Sequence, residues 1–142
     1  WRNKRSGLIS CMNPGYGGGG GVEETEFANS GFAENYDNMR RAIELLFEHY
    51  PERRVILTVS PVPLGATFTD ADVFVANMES KSTLRAVAGQ LAAEFDRVDY
   101  FPSYEICQMG NPFSPDGRHV RPEVVAMIVA TFLRMFGTVE AA

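Results

Sequence analysis

The sequence predicts a single α/β domain in which helices cover a parallel sheet. Three observations indicate this class. Apolar residues recur at helical spacing in three segments, two short β-branched or aromatic runs lie between those segments, and the order along the chain is helix, strand, helix, strand, helix. This order favours parallel strands that are joined by right-handed crossovers.

The first predicted helix runs from Glu34 to Tyr50, just before Pro51. Its apolar stripe has the spacing of one helix face and comprises Met39, Ala42, Ile43, Leu46, Phe47 and Tyr50. The run from Val55 to Ser60 follows. It is too uniformly apolar to alternate, which is typical of a parallel strand that is covered on both faces, and Pro61 ends it.

The later elements follow the same logic. A connection is expected over Leu64–Asp72, and a loop with one helical turn over Ser103–Pro115. A second helix is predicted from the apolar stripe Leu84, Val87, Ala88, Leu91 and Phe95. The run Val98–Phe101 predicts a second strand, and the segment from Pro122 through Phe136 predicts a third helix.

The first 33 residues differ in composition from the rest. Eight of the 13 glycines fall within residues 1–31, including the unbroken run Gly17–Gly21. Polyglycine loses much backbone entropy on ordering, so we expect an irregular segment over 1–33, with a loop from Asn13 to Gly31. A phosphate-binding glycine loop is disfavoured, because Glu23 and Glu24 follow the run where such a loop needs lysine and a hydroxyl residue.

Residues 34–142 would then form the α/β part, and its sheet would be incomplete. Two parallel strands, or three if Leu8–Met12 is also a strand, offer too little surface for three apolar helix faces. Either another chain or preceding sequence would complete such a sheet. An open edge and uncovered helix faces also predict self-association.

Composition excludes several functions. The 142 residues carry 18 acidic and 13 basic side chains, a formal charge of −5, and the basic cluster Arg2, Lys4 and Arg5 is small. We therefore expect no nucleic-acid partner. The longest apolar stretch, Val124–Leu133, has half of the ~20 residues that a membrane span needs, so no span is predicted.

The two cysteines do not indicate a disulfide or metal site. Cys11 and Cys107 are 96 positions apart and form no CxxC pair, so neither a disulfide framework nor a thiolate metal site is predicted. No cofactor is expected. The cellular compartment stays open.

Two histidines are present, and their positions differ. His49 ends a predicted helix, where an imidazolium complements the helix dipole. His119 follows Asp116-Gly117-Arg118 between the last strand and the last helix, where α/β sheets place ligand-binding loops. One turn can bring the Asp116 carboxylate to the imidazole, which would then act as a general base. Alternatively, Asp116 or Ser114 caps a turn and His119 is a half-exposed loop residue.

The block Ser114–His119 is similar to the closing Asp-x-x-His block of SGNH (GDSL-type) serine esterases. Three earlier blocks, in this order, resemble the GSCFA family: Thr58–Leu64, Ser80–Arg85 and Tyr100–Glu105. The resemblance covers about Glu34 to Phe136. It implies a flavodoxin-like three-layer sandwich, acyl-ester hydrolysis or acyl transfer, Asp116 as the orienting acid and His119 as the base.

One part of the family pattern is missing. The Gly-Ser-Cys-Phe-Ala string that names the family, and whose serine matches the SGNH nucleophile position, does not occur here. The resemblance therefore implies a C-terminal portion that carries half of a catalytic apparatus and is inactive alone. Fold analogy suggests a small-molecule or carbohydrate ester as the substrate.

Other residues at strand ends are weaker candidates. Ser60 and Glu105 would line a substrate crevice, or Ser60 would bond local backbone and Glu105 would be an exposed carboxylate. Lys81 and Arg85 would form a solvated helix face unless Glu79 or Glu105 pairs with them. A function of another class also fits, namely a non-catalytic α/β interaction module whose exposed helix faces bind a partner.

Overall fold

The computed structural model describes residues 1–10 and 21–137. The chain divides into two compact units, Trp1–Gly31 and Phe32–Ala142. Residues 13–20 of the expected glycine loop, including Gly17–Gly20, and the cysteine at position 11 lie outside the described residues. The described rest of that loop is not wholly irregular as expected, because it contains a 3-10 turn and a short strand at Thr25–Glu26.

The first unit contains a short antiparallel ribbon. Strand β1 (Arg2–Asn3) pairs with β2 (Thr25–Glu26), which follows a 3-10 turn at Val22–Glu24. The candidate strand Leu8–Met12 is wrong for its described part. Ile9 forms only an isolated bridge, and Leu8 and Ile9 are 72% and 61% exposed because nothing in the described residues covers them; residues 11 and 12 lie outside the described part.

The second unit confirms the predicted α/β class and element order. Its elements are α1 (Phe32–His49), β3 (Val55–Thr58), α2 (Val73–Glu94), β4 (Val98–Phe101), α3 (Ser103–Gln108) and α4 (Pro122–Phe136). Strands β3 and β4 are parallel, in register from Val55 opposite Val98 to Thr58 opposite Phe101. The single helical turn expected after β4 is α3, which has six residues.

Local chemistry explains where the long helices begin. The Asp72 carboxylate accepts a hydrogen bond from the Phe74 amide at 2.8 Å and so caps α2. Pro122 occupies the first turn of α4, where its missing N–H costs nothing. Helix α2 begins after the loop that follows β3, and α4 begins after the loop that follows α3.

Helices α1 and α2 cover one face of the sheet. Ile43, Val87, Leu91 and Val98 form the buried core there, and Leu91 is completely buried. Val55 and Leu57 of β3 pack against this cluster. Because side chains alternate along a strand, Ile56 and Thr58 point to the opposite face.

Helix α4 covers that opposite face only partly. Phe132 and Phe136 pack edge-on against Phe101 of β4, with ring centroids 5.2 and 6.2 Å apart. No residue of α4 is fully buried, and a cavity of about 350 Å³ lies between the helix and the sheet. The second unit is therefore a three-layer arrangement of helices, a two-stranded parallel sheet and a helix.

Hydroxyl groups join the carboxyl ends of the two strands. Thr58 Oγ1 donates to the carbonyl of Phe101 at 2.9 Å, and the buried Ser103 Oγ donates to the carbonyl of Val59 at 3.0 Å. These bonds satisfy carbonyl groups where the sheet ends. They hold the starting points of the two loops that follow β3 and β4 in fixed positions.

Candidate functional site

The segment before α4 is a tight, hydrogen-bonded turn. Phe113 and Val120 form an antiparallel bridge, and the amide of Ser114 donates to the carbonyl of His119 at 2.8 Å. Gly117 closes the turn with a φ of 68°, a conformation that side chains with a Cβ rarely adopt. The local sequence thus brings residues 116 and 119 to the same side of the turn.

Asp116 binds the turn with both carboxylate oxygens. Oδ1 accepts hydrogen bonds from the amides of Arg118 and His119, each at 3.0 Å, and Oδ2 lies 2.5 Å from Nδ1 of His119. The bond to His119, followed by the two amide bonds, lowers the pKa of Asp116 to about 2. The carboxylate is therefore ionised at neutral pH and can hold the imidazole with Nδ1 protonated.

His119 presents its other ring nitrogen to solvent. The side chain is 78% exposed, and Nε2 has no hydrogen-bond partner within residues 1–10 and 21–137. An imidazole that is fixed through Nδ1 and open at Nε2 can accept a proton from a hydroxyl group. The sequence spacing predicted this contact with Asp116, and its catalytic use stays a prediction.

The turn lies at the carboxyl end of the sheet. Nη1 of Arg118 is 3.0 Å from the position that a Cβ would occupy on Gly65, in the loop between β3 and α2. The neighbouring Leu64 amide donates to Oδ1 of Asn77 on α2 at 2.9 Å. The two loops that follow the strands therefore meet, as they do at ligand sites of open α/β sheets.

Ser60 lies in this region but does not contact His119 in the described structure. It is exposed, and its Oγ accepts a 3.3 Å hydrogen bond from the amide of Val62. It also lines a cavity of about 110 Å³ between β3 and α2, next to Leu84 and Ala88. A role for Ser60 in substrate binding stays a prediction, since its hydroxyl already has a backbone partner.

Glu105 is held by two neighbours. Oε1 lies 2.5 Å from Nε of Arg85, and Oε2 accepts a hydrogen bond from Tyr100 at 2.8 Å. The guanidinium also lies over the Tyr100 ring, 3.9 Å from its centroid. Burial works to raise the pKa of Glu105, but the bonds from Tyr100 and Arg85 outweigh it and lower that pKa. Both oxygens are thus engaged, and a substrate-binding role for Glu105 stays a prediction.

At Lys81 and Arg85 the structure has the alternative to a solvated helix face, namely pairing with Glu105. Arg85 pairs with Glu105, and Lys81 is buried. Sequence reasoning did not predict the burial of Lys81 or the approach of Arg118 to Gly65. Lys81 is one of only two lysines in a chain with 11 arginines, but this scarcity does not indicate burial.

The remaining candidates show no further ligand chemistry. His49 lies exposed in the last turn of α1. The described residues contain no group of three histidine, cysteine or acidic side chains arranged to hold a metal ion. Among the described helices, none combines the length and apolarity that crossing a bilayer requires.

These features define an α/β domain with a carboxylate–imidazole pair at the carboxyl end of a parallel sheet. The family model described as "GSCFA family" matches residues 1–132, and the chain belongs to this family. The resemblance that the sequence blocks predicted is therefore confirmed.

Comparison with solved structures supports the same fold class. The chain is similar to the "Esterase domain of the ZfL2-1 ORF1 protein from the zebrafish ZfL2-1 retrotransposon", with a TM-score of 0.51 and 18% sequence identity. The match covers 84% of this chain and 66% of that domain, slightly less than two thirds of its length. A comparison with curated proteins found no significant match.

Proposed function

We propose that this chain supplies the Asp-x-x-His half of an SGNH-like serine esterase or acyltransferase that acts on ester or O-acyl groups. The observation that carries the proposal is the 2.5 Å contact between Asp116 Oδ2 and His119 Nδ1, with Nε2 open to solvent. Family membership and the fold of an esterase domain support it. A small-molecule or carbohydrate ester is the proposed substrate.

In this mechanism each residue has one task. His119 Nε2 takes the proton of a serine hydroxyl as that hydroxyl attacks the acyl carbon, and later returns the proton to the leaving alcohol. Asp116 keeps Nδ1 protonated and stabilises the imidazolium that forms. A carboxylate with a pKa of about 2 does not take up the proton itself at neutral pH.

The nucleophile is proposed to come from a Gly-Ser-Cys-Phe-Ala segment outside these 142 residues. The chain has no such string, and within the described residues no hydroxyl group contacts Nε2 of His119. In the presence of the 142-residue chain alone, a simple aryl ester is then expected to hydrolyse only at its uncatalysed background rate. The protein that also carries the segment should hydrolyse it.

The test is His119→Ala in the protein that contains this segment. Aryl-ester turnover should fall by about 10³-fold or more, because the general base is lost. The melting temperature should stay almost unchanged, because the side chain is 78% exposed. His49→Ala is the matched control, since it removes an exposed histidine at the end of α1. Retained turnover in His119→Ala would remove this residue from the mechanism.

A second candidate function is a non-catalytic interaction module. It is favoured by α4, where Val125, Val129 and Leu133 are 44%, 50% and 57% exposed and recur every four residues. A reading frame that begins naturally near Trp1 would favour this module. An upstream Gly-Ser-Cys-Phe-Ala string would favour the enzyme.

A further inference from the structure

Lys81 is a buried cation on α2. The residue is only 7% exposed, and burial lowers the pKa of its ammonium group. Lysine is rarely buried unless its charge is paired. Its position therefore needs a physical explanation.

No partner for this charge is present among residues 1–10 and 21–137. Lys81 makes no side-chain hydrogen bond and no ion pair there. In the same residues, Nε of Arg121 is the side-chain atom that is sealed from solvent without a hydrogen-bond partner. The Lys81 nitrogen is not among these sealed atoms, so it keeps some contact with solvent although most of the residue is buried.

Two neighbours on the same helix face fix the location of Lys81. Asn77, one turn before it, binds the amide of Leu64 in the loop after β3. Leu84, three residues after it, lines the cavity next to Ser60. Lys81 thus lies on α2 one turn from the place where this helix binds the loop that follows β3.

A second cation lies at the same loop. Arg118 is part of the Asp116–His119 turn and reaches over Gly65, and among the described residues its guanidinium has no carboxylate within ion-pair distance. Asp116, the nearest acid in sequence, is engaged by His119 and two amides. In contrast, Arg40, Arg54 and Arg85 all pair with acids. The chain has 18 acidic residues, so the lack of a partner at this loop is a local property.

We propose that Lys81 binds a carboxylate or phosphate group of the ligand that enters at the carboxyl end of β3, with Arg118 as a second, outer cation. An ammonium group offers three hydrogen-bond donors, which suit an oxyanion. An unpaired charge in a largely buried residue is unfavourable in the free protein, and a bound anion would offset part of that cost. The inference rests on the proposed function only in calling this ligand the substrate, which would then be an anionic ester.

The experiment measures anion binding by thermal unfolding of the 142-residue chain at constant ionic strength. Sodium acetate and sodium phosphate replace sodium chloride in separate titrations, which distinguish a carboxylate from a phosphate site. At about ten times Kd, the melting temperature should rise by about 3–6 °C with at least one of the two anions. This experiment does not measure ester turnover, so a negative result would not affect the test of His119.

Three variants test which residues cause the anion-dependent rise in melting temperature. Lys81→Met should abolish the anion-dependent shift and raise the melting temperature without anion by about 2–4 °C, because a buried unpaired charge is removed. Lys4→Met is the matched control, because this other lysine lies in the first unit, where its Nζ donates to the carbonyl of Glu23; its response should equal that of the wild type. Arg118→Ala should weaken binding several-fold.

A wild-type melting temperature that is the same in chloride, acetate and phosphate would overturn the proposal. So would an anion response that Lys81→Met leaves intact. If Lys81→Met does not fold, Lys81→Gln takes its place. Only the part of the shift that this variant loses counts as binding at Lys81, because phosphate also stabilises proteins by exclusion from their surface.

Discussion

Both faces of the sheet in the second unit are covered by helices with apolar stripes, but the two faces differ in how completely they are buried. Towards α1 and α2, Ile43, Leu91 and Val98 are at most 4% exposed and form a continuous core. Towards α4, a cavity of about 350 Å³ separates the helix from the strands, and no residue of α4 is fully buried. An apolar helical stripe therefore indicates that a helix forms, but not how completely it is covered.

Because of this difference, one face should determine the stability of the unit and the other should determine which apolar side chains are exposed. Buried apolar area on the α1 and α2 face should contribute most of the free energy of unfolding. The α4 face contributes less and leaves apolar side chains accessible. Substitutions on the two faces should therefore change different measurements.

The largest expected effect is on stability and comes from Leu91→Ala. Leu91 has no exposed surface, so the substitution leaves a cavity in the core. The free energy of unfolding should fall by about 2–5 kcal/mol, measured by urea denaturation.

Leu133→Ala is the matched change on the other face. Leu133 is 57% exposed on α4, and its truncation should cost less than about 1 kcal/mol. Equal costs at the two positions would mean that α4 is covered in solution, and the contrast between the faces would be wrong.

An intermediate effect is expected on self-association. We expect copies of the chain to associate through the exposed stripe Val125, Val129 and Leu133. Leu133→Glu should raise the dissociation constant at least about tenfold, roughly 1.4 kcal/mol, in sedimentation experiments.

Leu45→Glu is the control for that experiment, since Leu45 is an exposed leucine on α1 with 40% exposure. It should leave association unchanged. A wild-type chain that is monomeric at all concentrations would contradict the expectation, and so would equal effects of the two substitutions.

The smallest effect is a local response to acid at the turn before α4. The pKa of Asp116 is lowered in the folded chain from 3.8 to about 2. Its contacts therefore stabilise the turn above about pH 4, and this contribution is lost as the pH falls through about 2. NMR signals of Arg118 and His119 amides should change in that window, while those of Leu91 on α2 should not.

Asp116→Asn is the control for the acid titration, because it has no carboxyl group to protonate. Its turn signals should lack the transition near pH 2. A carboxyl signal of wild-type Asp116 that titrates at its ordinary value would show that the contact with His119 does not hold in solution.

Local sequence patterns predicted most of the second unit. Helices α1 and α4 and strands β3 and β4 have strong periodicity or β-branched runs together with proline boundaries. The first half of α2 was not visible as a stripe, because large residues there face solvent; Phe74 and Val75 are 81% and 59% exposed. Its start is marked instead by a polar cap at Asp72.

The candidate site was predictable only where it depends on neighbours in sequence. Asp116 and His119 are three positions apart, so one turn decides their contact. Arg85 and Glu105 are 20 positions apart, and their ion pair depends on how α2 packs beside β4. The burial of Lys81 likewise has no local signal, because it depends on how α2 packs in the folded chain.

The scarcity of lysine has a practical consequence for following unfolding. A protease that cleaves after lysine finds two sites in the whole chain, and the one at position 81 is inside a helix and 7% exposed. The folded chain should therefore lose only its first few residues. Cleavage in the middle of the chain would report opening of α2 directly, without any spectroscopic label.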